Sequence, residues 1–417
     1  MSRYVVRSGS PLSGTVRVSG ATKNSGLKLM AASLLAPGVT TLRNMPPVAD
    51  LDVMDELLHA IGAVVTRTGD EVRIDTAGSL RPEAPYELVT RMRASFNVLG
   101  PLVARCGEAR VAMPGGDEIG SRKVDMHLRG LEALGAHVDV RHGVIEVRAG
   151  GLVGARVVLE FPSVGATENL LSAAVLAKGT SVIENAAREP EITDLAAFLN
   201  RMGAHVVGAG TSTIEIEGVD ELVPTDCEVM GDRIEAGTLL IACGIAGGEI
   251  EVTGTRLEHL DVVAVKLAEM GMRVSPAPDG IWARHDGRLR AADVATLPFP
   301  GFATDFMPLA VAMLTVAAGT AIVTENVYDG RFQFVDELVR MGADVRTEGR
   351  HAVVRGVERL SGAPVRASDV RAGAALTLAG LAADGETVVH GCGHVERGYA
   401  DLPGALRALG ADVTRIG

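Results

Sequence analysis

Basic and acidic side chains interrupt apolar segments of this chain at seven places, and each interruption is a candidate for chemistry. Lys23 and Asn24 open the apolar stretch KNSGLKLMAASLL. The first turn of a helix has unsatisfied amides and tolerates an anion, so an ammonium there suits a phosphate; a solvated Lys beside an Asn cap is the plainer alternative. Arg91 and Arg93 precede another helical segment, RMRASFNVLGPLVAR, at the end where acids are normally preferred. A bound anion resolves that mismatch, and only one of the two needs to face it. The segment PGGDEIGSRKVDMHLRG reads as a glycine-rich loop over 114–120 that presents Asp117, Arg122, Lys123, Asp125 and His127 ahead of a helix. Loops of this kind position chemistry and close over substrates. Asp117 has the chemistry of a general acid if its surroundings adjust its proton affinity, though an Asp in a loop is commonly a turn residue or cap. Asp305 follows Thr304 at the start of another apolar helix, where it either caps the helix or accepts a proton from a sugar hydroxyl. Arg331, the pair Asp369 and Arg371, and the group His394, Glu396, Arg397 and Tyr399 complete the set.

The elements that must hold these residues are written as a repeat. IGAVV, LGAHV, MGAHV, MGMRV, MGADV and LGADV place glycines at 62, 135, 203, 271, 342 and 410, at steps of 73, 68, 68, 71 and 68 residues. Six such marks at nearly even spacing indicate internal duplication. Each follows a helical pattern: in FVDELVRMGADV, Phe334, Val335, Leu338 and Met341 share a face, and the glycine fits a left-handed C-cap before a strand. A second mark precedes each copy, where an alanine-rich helix ends at glycine and enters a strand, as in VLAKGTSVIEN. There Ser181 and Ile183 oppose Thr180, Val182 and Glu184. Each unit therefore holds two helices and at least two strands, an α/β repeat. A period near 70 is too long for common solenoids, so a closed assembly of six units in two halves is expected, cut near residue 230. The segment SGTVRVSGA is expected to cross back into the second half, giving domains of 22–230 and of 1–21 with 231–417. On that architecture Lys23, Arg122 and Arg397 are expected to converge in the cleft between the halves on a small phosphorylated substrate.

Composition agrees. Of 417 residues 47% are apolar and only 3% aromatic, so small aliphatic side chains must fill the core. The net charge of −12 argues against a general nucleic-acid surface but leaves room for a local cationic site. Five lysines stand among 40 basic residues, the rest being Arg. No signal peptide and no membrane-spanning run is expected, and Cys106, Cys227, Cys243 and Cys392 lack zinc or disulfide spacing, which fits a reducing cytoplasm. Fingerprints for dinucleotide, P-loop, zinc protease and serine hydrolase sites are missing.

Taken together, KNSGLKLMAASLL, MRASFNVLGPLVAR, PGGDEIGSRKVDMH, FPSVGATEN, NAAREPEI, GDRIEAGT, TENVYDGRF and HVERGY run in the order of the UDP-N-acetylglucosamine 1-carboxyvinyltransferases, and the chain resembles that family over essentially its full length. The resemblance implies an inside-out α/β barrel in two domains, each of three βαβαββ-type units with pseudo-threefold symmetry. It implies transfer of an enolpyruvyl group from phosphoenolpyruvate to the 3-hydroxyl of UDP-N-acetylglucosamine with release of phosphate, in the cytoplasm, for peptidoglycan precursor synthesis, without a cofactor or metal. Lys23, Arg122 and Arg397 match positions that hold phosphoenolpyruvate. Asn24, Arg93, Arg331 and Arg371 match positions around the substrates. Asp305 matches the residue that orients and deprotonates the sugar hydroxyl, and Asp369 a second carboxylate near the reacting centre. Arg122, Lys123, Val124, Asp125 and His127, with Ser163, Val164 and Gly165, match contacts to the UDP portion, and Val327 a further substrate contact.

Three positions depart from the family pattern. Asp117 stands where many members have Cys, which implies resistance to fosfomycin because a carboxylate is a weaker nucleophile than a thiolate. Phe161 lies where many members have Lys close by, and Met307 where they often have Gln, an amide whose donor and acceptor Met cannot replace. These departures leave open another nucleotide or polyol acceptor, while a noncatalytic UDP-sugar sensor would not need Lys23, Asp117, Asp305 and Arg397 together.

Overall fold

The computed structural model describes residues 2–117, 119, 120 and 122–417. Thirteen α-helices are described: α1 (Leu27–Ala32), α2 (Ala49–Ile61), α3 (Tyr86–Val89), α4 (Leu99–Cys106), α5 (Asp125–Ala133), α6 (Val164–Ala174), α7 (Pro190–Arg201), α8 (Arg233–Ala246), α9 (Asp261–Glu269), α10 (Met307–Leu314), α11 (Val335–Arg340), α12 (Val370–Gly380) and α13 (Leu402–Ala408).

All six glycine marks adopt the left-handed conformation, with φ between 87° and 107°. Each closes its helix with the same pair of bonds. Gly62 N–H donates to the carbonyl of His59 and Ala63 N–H to that of Leu58; Gly410 and Ala411 do the same to Arg407 and Leu406, and the other four copies match. This is the Schellman closure, and it turns the chain from an outer helix into a strand in every unit.

The six units build six four-stranded sheets among the described residues, all with one strand order. The strand after the inner helix, for example Thr180–Glu184, pairs in parallel with an edge strand, Arg156–Val158, and antiparallel with Thr213–Glu217, which pairs in turn with His205–Val207. One face of each sheet is buried: His351–Arg355 alternates strictly, with Ala352 and Val354 inward. Ser181 and Ile183 are likewise the inward residues of their strand, as the alternation predicts.

The chain divides into two compact units, residues 20–117 with 122–230, and residues 2–19 with 119–120 and 231–417. We call them the middle and terminal units. The terminal unit takes its first strand, Arg3–Arg7, between Glu386–His390 and Asp412–Ile416, and sets Leu12–Arg17 in parallel beside Gly248–Thr253. Within it α8, α10 and α12 pack on one another, and every residue of α10 and α12 is buried. In the middle unit α4 packs on α6 in the corresponding way. Helices inside and sheets outside is the expected inside-out arrangement. It also explains the small-residue composition: a Cβ on Gly237 of α8 would stand 2.3 Å from the Phe306 ring, so that crossing closes only over glycine.

Candidate active site

In the middle unit the chain enters α1 through a wide π-helical turn, Thr22–Gly26, which carries Lys23 and Asn24 half-buried at its outer end. Such turns add one residue to the helix and recur at functional sites. The Lys23 ammonium is ion-paired with Asp50, a carboxylate buried on α2. One turn on, Lys28 reaches the Asn24 carbonyl at 3.0 Å and Glu168 of α6 at 3.3 Å. Burial pushes the Glu168 carboxyl upward in pKa, against the pull of Lys28 and of Asn97, which donates to it at 2.6 Å.

Of the two arginines before the next inner helix, Arg91 is exposed and paired with Glu56 of α2, at 2.6 and 3.3 Å. Arg93 instead begins the 3-10 turn Arg93–Val98 that leads into α4, and donates to the Lys123 carbonyl at 3.3 Å. Arg122 donates to the carbonyl of Asp117 at 2.7 Å. Between them sits Gly116, φ 111°, where a Cβ would lie 2.9 Å from Nη2 of Arg122 and 3.2 Å from Cβ of Arg93. The glycine before Asp117 thus lets two guanidinium-bearing side chains close on the loop. Glu118 and Ser121 of the same loop lie outside the described residues.

Two residues assigned to that loop from the sequence belong elsewhere. Asp125 and His127 lie in the first turns of α5, where Asp125 faces Arg129 at 3.8 Å and Val124 is the buried residue before the helix. Loop composition ends at Lys123, and the apolar phase of the helix begins earlier than the glycines suggest. His127 is buried, edge-on to Phe96 with ring centroids 5.0 Å apart. Asn169 accepts from the Gly100 amide through Oδ1 at 2.8 Å, which leaves its Nδ2 to face Nδ1 of His127 at 3.0 Å. Nδ1 is therefore the acceptor and Nε2 carries the proton. Burial, helped by the Arg93 charge, holds the imidazole down to about 3. Ser163 caps α6, accepting from Ala166 N–H at 3.3 Å, and Val164 and Gly165 form its half-buried first turn. A Cβ at Gly165 would be 3.2 Å from Cε1 of His127, so these two predicted residues are in contact.

In the terminal unit the three inner helices begin at Asp232, Asp305 and Asp369. Asp232 caps α8, accepting from the amides of Ile234 and Glu235 at 2.7 and 3.1 Å. Asp369 caps α12, accepting from Arg371 and Ala372 at 2.9 and 3.1 Å. Asp305 differs: it lies in the 3-10 turn Thr304–Phe306 before α10 and makes no cap. Its carboxylate instead accepts from Nε of Arg371 at 2.7 Å. Burial alone would raise its pKa, but the guanidiniums of Arg371, Arg331 and Arg233 hold the carboxyl well below the usual carboxylate range. Its side chain keeps 37% of its surface exposed while that of Arg371 keeps 3%, so an ionised oxygen faces outward from a buried cationic support. Nη1 of Arg371 and Nε of Arg331 are buried with no hydrogen-bond partner among the described residues.

Aromatic rings back these cations. Arg371 lies over Tyr399 at 5.2 Å, Arg331 over Tyr328 at 5.8 Å and Arg233 over Phe299 at 5.6 Å. Arg397 is half-buried in the 3-10 turn Val395–Arg397. Val327 donates its amide to the wholly buried Glu325 at 2.7 Å, and Glu325 also receives the hydroxyls of Thr304 and Thr296 at 2.8 Å each.

In the terminal unit one outward carboxylate thus stands on a buried cation, and comparison with known proteins gives the family. The family described as EPSP synthase (3-phosphoshikimate 1-carboxyvinyltransferase) matches residues 6–406. The UDP-N-acetylglucosamine 1-carboxyvinyltransferase of Corynebacterium jeikeium is 53% identical over 413 residues, 99% of each chain. That of Mycolicibacterium paratuberculosis is 52% identical over 414 residues, again 99% of each. The chain belongs to the UDP-N-acetylglucosamine 1-carboxyvinyltransferase family. Among solved structures, the enolpyruvyl transferase NikO from Streptomyces tendae superposes with a TM-score of 0.88 at 26% identity, over 99% of this chain and 98% of that one. An EPSP synthase from Acinetobacter baumannii shares the fold, with a TM-score of 0.76 at 18% identity over all of both chains.

Against the carboxyvinyltransferase pattern, two departures acquire a physical reading. Met307 is the wholly buried first residue of α10, so its thioether serves packing within the apolar core. Phe161, by contrast, keeps 39% of its surface exposed just ahead of the α6 cap. Residues not singled out from the sequence include Asp232, Arg233 and Glu325. Asp232–Arg233 stands at the start of α8 as Asp369 and Arg371 stand at the start of α12, so superposing the repeats on one another was the signal for it. Glu325 carries no such mark, because a buried Glu held by hydroxyls and amides looks in sequence like any strand-end acid.

Proposed function

We propose that this protein transfers the enolpyruvyl group of phosphoenolpyruvate to the 3-hydroxyl of UDP-N-acetylglucosamine, releasing phosphate, as a step of peptidoglycan precursor synthesis in the cytoplasm. The observation that carries it is identity above 50% across 99% of both chains to enzymes of that name. Among the described residues no helix is long and apolar enough to cross a membrane.

In this reading Lys23, Arg122 and Arg397 take the phosphate and carboxylate of phosphoenolpyruvate. Fixed cations lower the cost of gathering charge on the departing phosphate and need no reorganisation as it leaves. Asp117 delivers a proton to the methylene carbon of the donor, which leaves the neighbouring carbon open to attack. The sugar 3-oxygen bonds to that carbon and its proton passes to Asp305, giving a phosphorylated tetrahedral intermediate. A carboxylate held far below its ordinary pKa is a weak base towards a free hydroxyl, but it is always ionised and fixed in direction. The hydroxyl becomes acidic as its oxygen forms the new bond, so the transfer completes late in that step. Loss of a proton from the methyl group and departure of phosphate then restore the double bond, with Asp369 the second carboxylate beside the reacting centre. Asn24, Arg93, Arg331 and Arg371 hold the substrates in register, while Lys123, Val124, Asp125, His127, Ser163, Val164, Gly165 and Val327 contact the nucleotide sugar.

The test is phosphate release from phosphoenolpyruvate with a panel of acceptors, the product being identified by mass. Release that depends on UDP-N-acetylglucosamine and yields its enolpyruvyl ether supports the assignment. Strong turnover with a different acceptor and none with this one overturns it.

A further inference from the structure

Tyr399 is wholly enclosed in the terminal unit, 2% exposed, and nothing in the reaction as described uses it. Its phenol oxygen is 2.8 Å from the hydroxyl of Thr238, one turn into α8. Its ring carries the Arg371 guanidinium at 5.2 Å. Its amide donates to the Val395 carbonyl at 3.0 Å, so it also closes the turn on which Arg397 stands. One residue therefore joins α8 and α12 through its side chain and the Arg397 turn through its amide.

The guanidinium of Arg371 needs such a support. Its Nε is committed to Asp305 at 2.7 Å, but Nη1 is buried with no hydrogen-bond partner among the described residues. One fork nitrogen thus lacks a hydrogen bond that would help to hold the plane of the guanidinium. A ring beneath a planar cation helps to hold that plane, because the attraction is greatest when the cation lies over the ring face. We propose that Tyr399 is a positioning residue: through its ring it fixes the plane of Arg371, and through Arg371 it fixes the direction and ionisation of the Asp305 carboxylate. The hydroxyl anchors the ring to Thr238 and also faces Arg371.

The inference rests on the role given to Asp305 above, but it can be read without turnover. Asp305 is followed by carbon NMR of protein labelled at aspartate carboxyls, its resonance identified by its loss in Asp305→Asn. In the wild-type protein and in Tyr399→Phe, which keeps the ring, the carboxyl stays ionised to the lowest pH at which the fold persists. In Tyr399→Leu its proton affinity rises tenfold or more, and kcat falls at least tenfold while KM for phosphoenolpyruvate changes less than threefold. Tyr399→Met stands in if the Leu variant shows no cooperative melt. Superimposable Asp305 titrations in the wild type and the ring-less variant overturn the proposal even where activity falls. Wild-type protein without turnover on the assigned substrates, yet with the titration moved as stated, overturns the assigned reaction and leaves the positioning role supported.

Discussion

Arg371 and Asp305, 66 residues apart in the chain, meet through an Nε to carboxylate hydrogen bond of 2.7 Å in which the cation is buried and the anion faces outward. In the proposed reaction the pair makes Asp305 an oriented acceptor whose ionised form the neighbouring guanidiniums favour. Asp305→Asn keeps the shape and removes the charge, so kcat should fall by about 10²- to 10⁴-fold, the usual worth of a positioned acid or base. Arg371→Lys should also be costly, on the order of tenfold or more in kcat, because an ammonium cannot present the planar fork or lie flat on Tyr399. Single-turnover measurement of phosphate release reads both. An Asp305→Asn variant with wild-type kcat would show that this carboxylate takes no proton.

Asp117 provides the second prediction. Its carbonyl accepts from Arg122 at 2.7 Å, and its side chain stands where many family members carry Cys. The protein should lose no activity on incubation with fosfomycin, and Asp117→Cys should become sensitive to time-dependent inactivation with a mass increase of one adduct. Asp117→Asn should lower kcat by about 10² or more without lowering the melting temperature. Covalent labelling of the wild-type protein would contradict the first expectation.

The repeat was legible because its marks are steric: six positions require a left-handed residue, and glycine is the cheapest answer at each, so the same letter recurs. The candidate site was legible only where a charge interrupts an apolar segment, as Lys23, Arg93 and Asp305 do. Pairings across repeats were not, since Arg371 and Asp305, or Asn97 and Glu168, are joined by the packing of inner helices and leave no local trace. His127 shows the same limit in reverse. Its charge-bearing neighbours suggest a loop, yet it stands in a helix against the Phe96 ring and the Asn169 amide. Burial is decided by phase on a helix whose start the glycine-rich sequence hides.

That environment sets the third prediction. With its pKa held at about 3, His127 is neutral throughout the working range and carries its proton on Nε2. Nitrogen NMR of the imidazole should show one tautomer, unchanged between pH 5 and 8. The sign for stability follows: the unfolded histidine protonates near 6.5 and the folded one near 3, so the contribution is whole above about pH 6.5 and is lost progressively as pH falls below it. His127→Asn should flatten that part of the stability profile. A ring that titrates near 6.5 in the folded protein would refute the buried placement.

Glu235 gives the opposite sign. It lies one helical step from the Asp232 cap, 5% exposed, and accepts the amide of Ser19 at 2.9 Å together with the Ser19 hydroxyl. Burial drives its carboxyl up, the two Ser19 bonds oppose this, and the charges of Asp232 and Asp401 add to the rise, leaving it at about 7. The folded protein therefore binds this proton more tightly than the unfolded chain, whose carboxyl titrates near 4.5. The stability it contributes is complete below about pH 4.5, declines as pH rises towards 7, and is absent above that. Glu235→Gln holds the group neutral at every pH. Relative to wild type, the variant should gain stability between about pH 4.5 and 7 at up to about 1.4 kcal/mol per pH unit, roughly 3 kcal/mol in all, and the difference should level off above 7. Urea unfolding of both proteins at matched pH measures this slope separately from any constant offset due to the altered bonds to Ser19. A difference that is flat across the interval would place the Glu235 titration elsewhere.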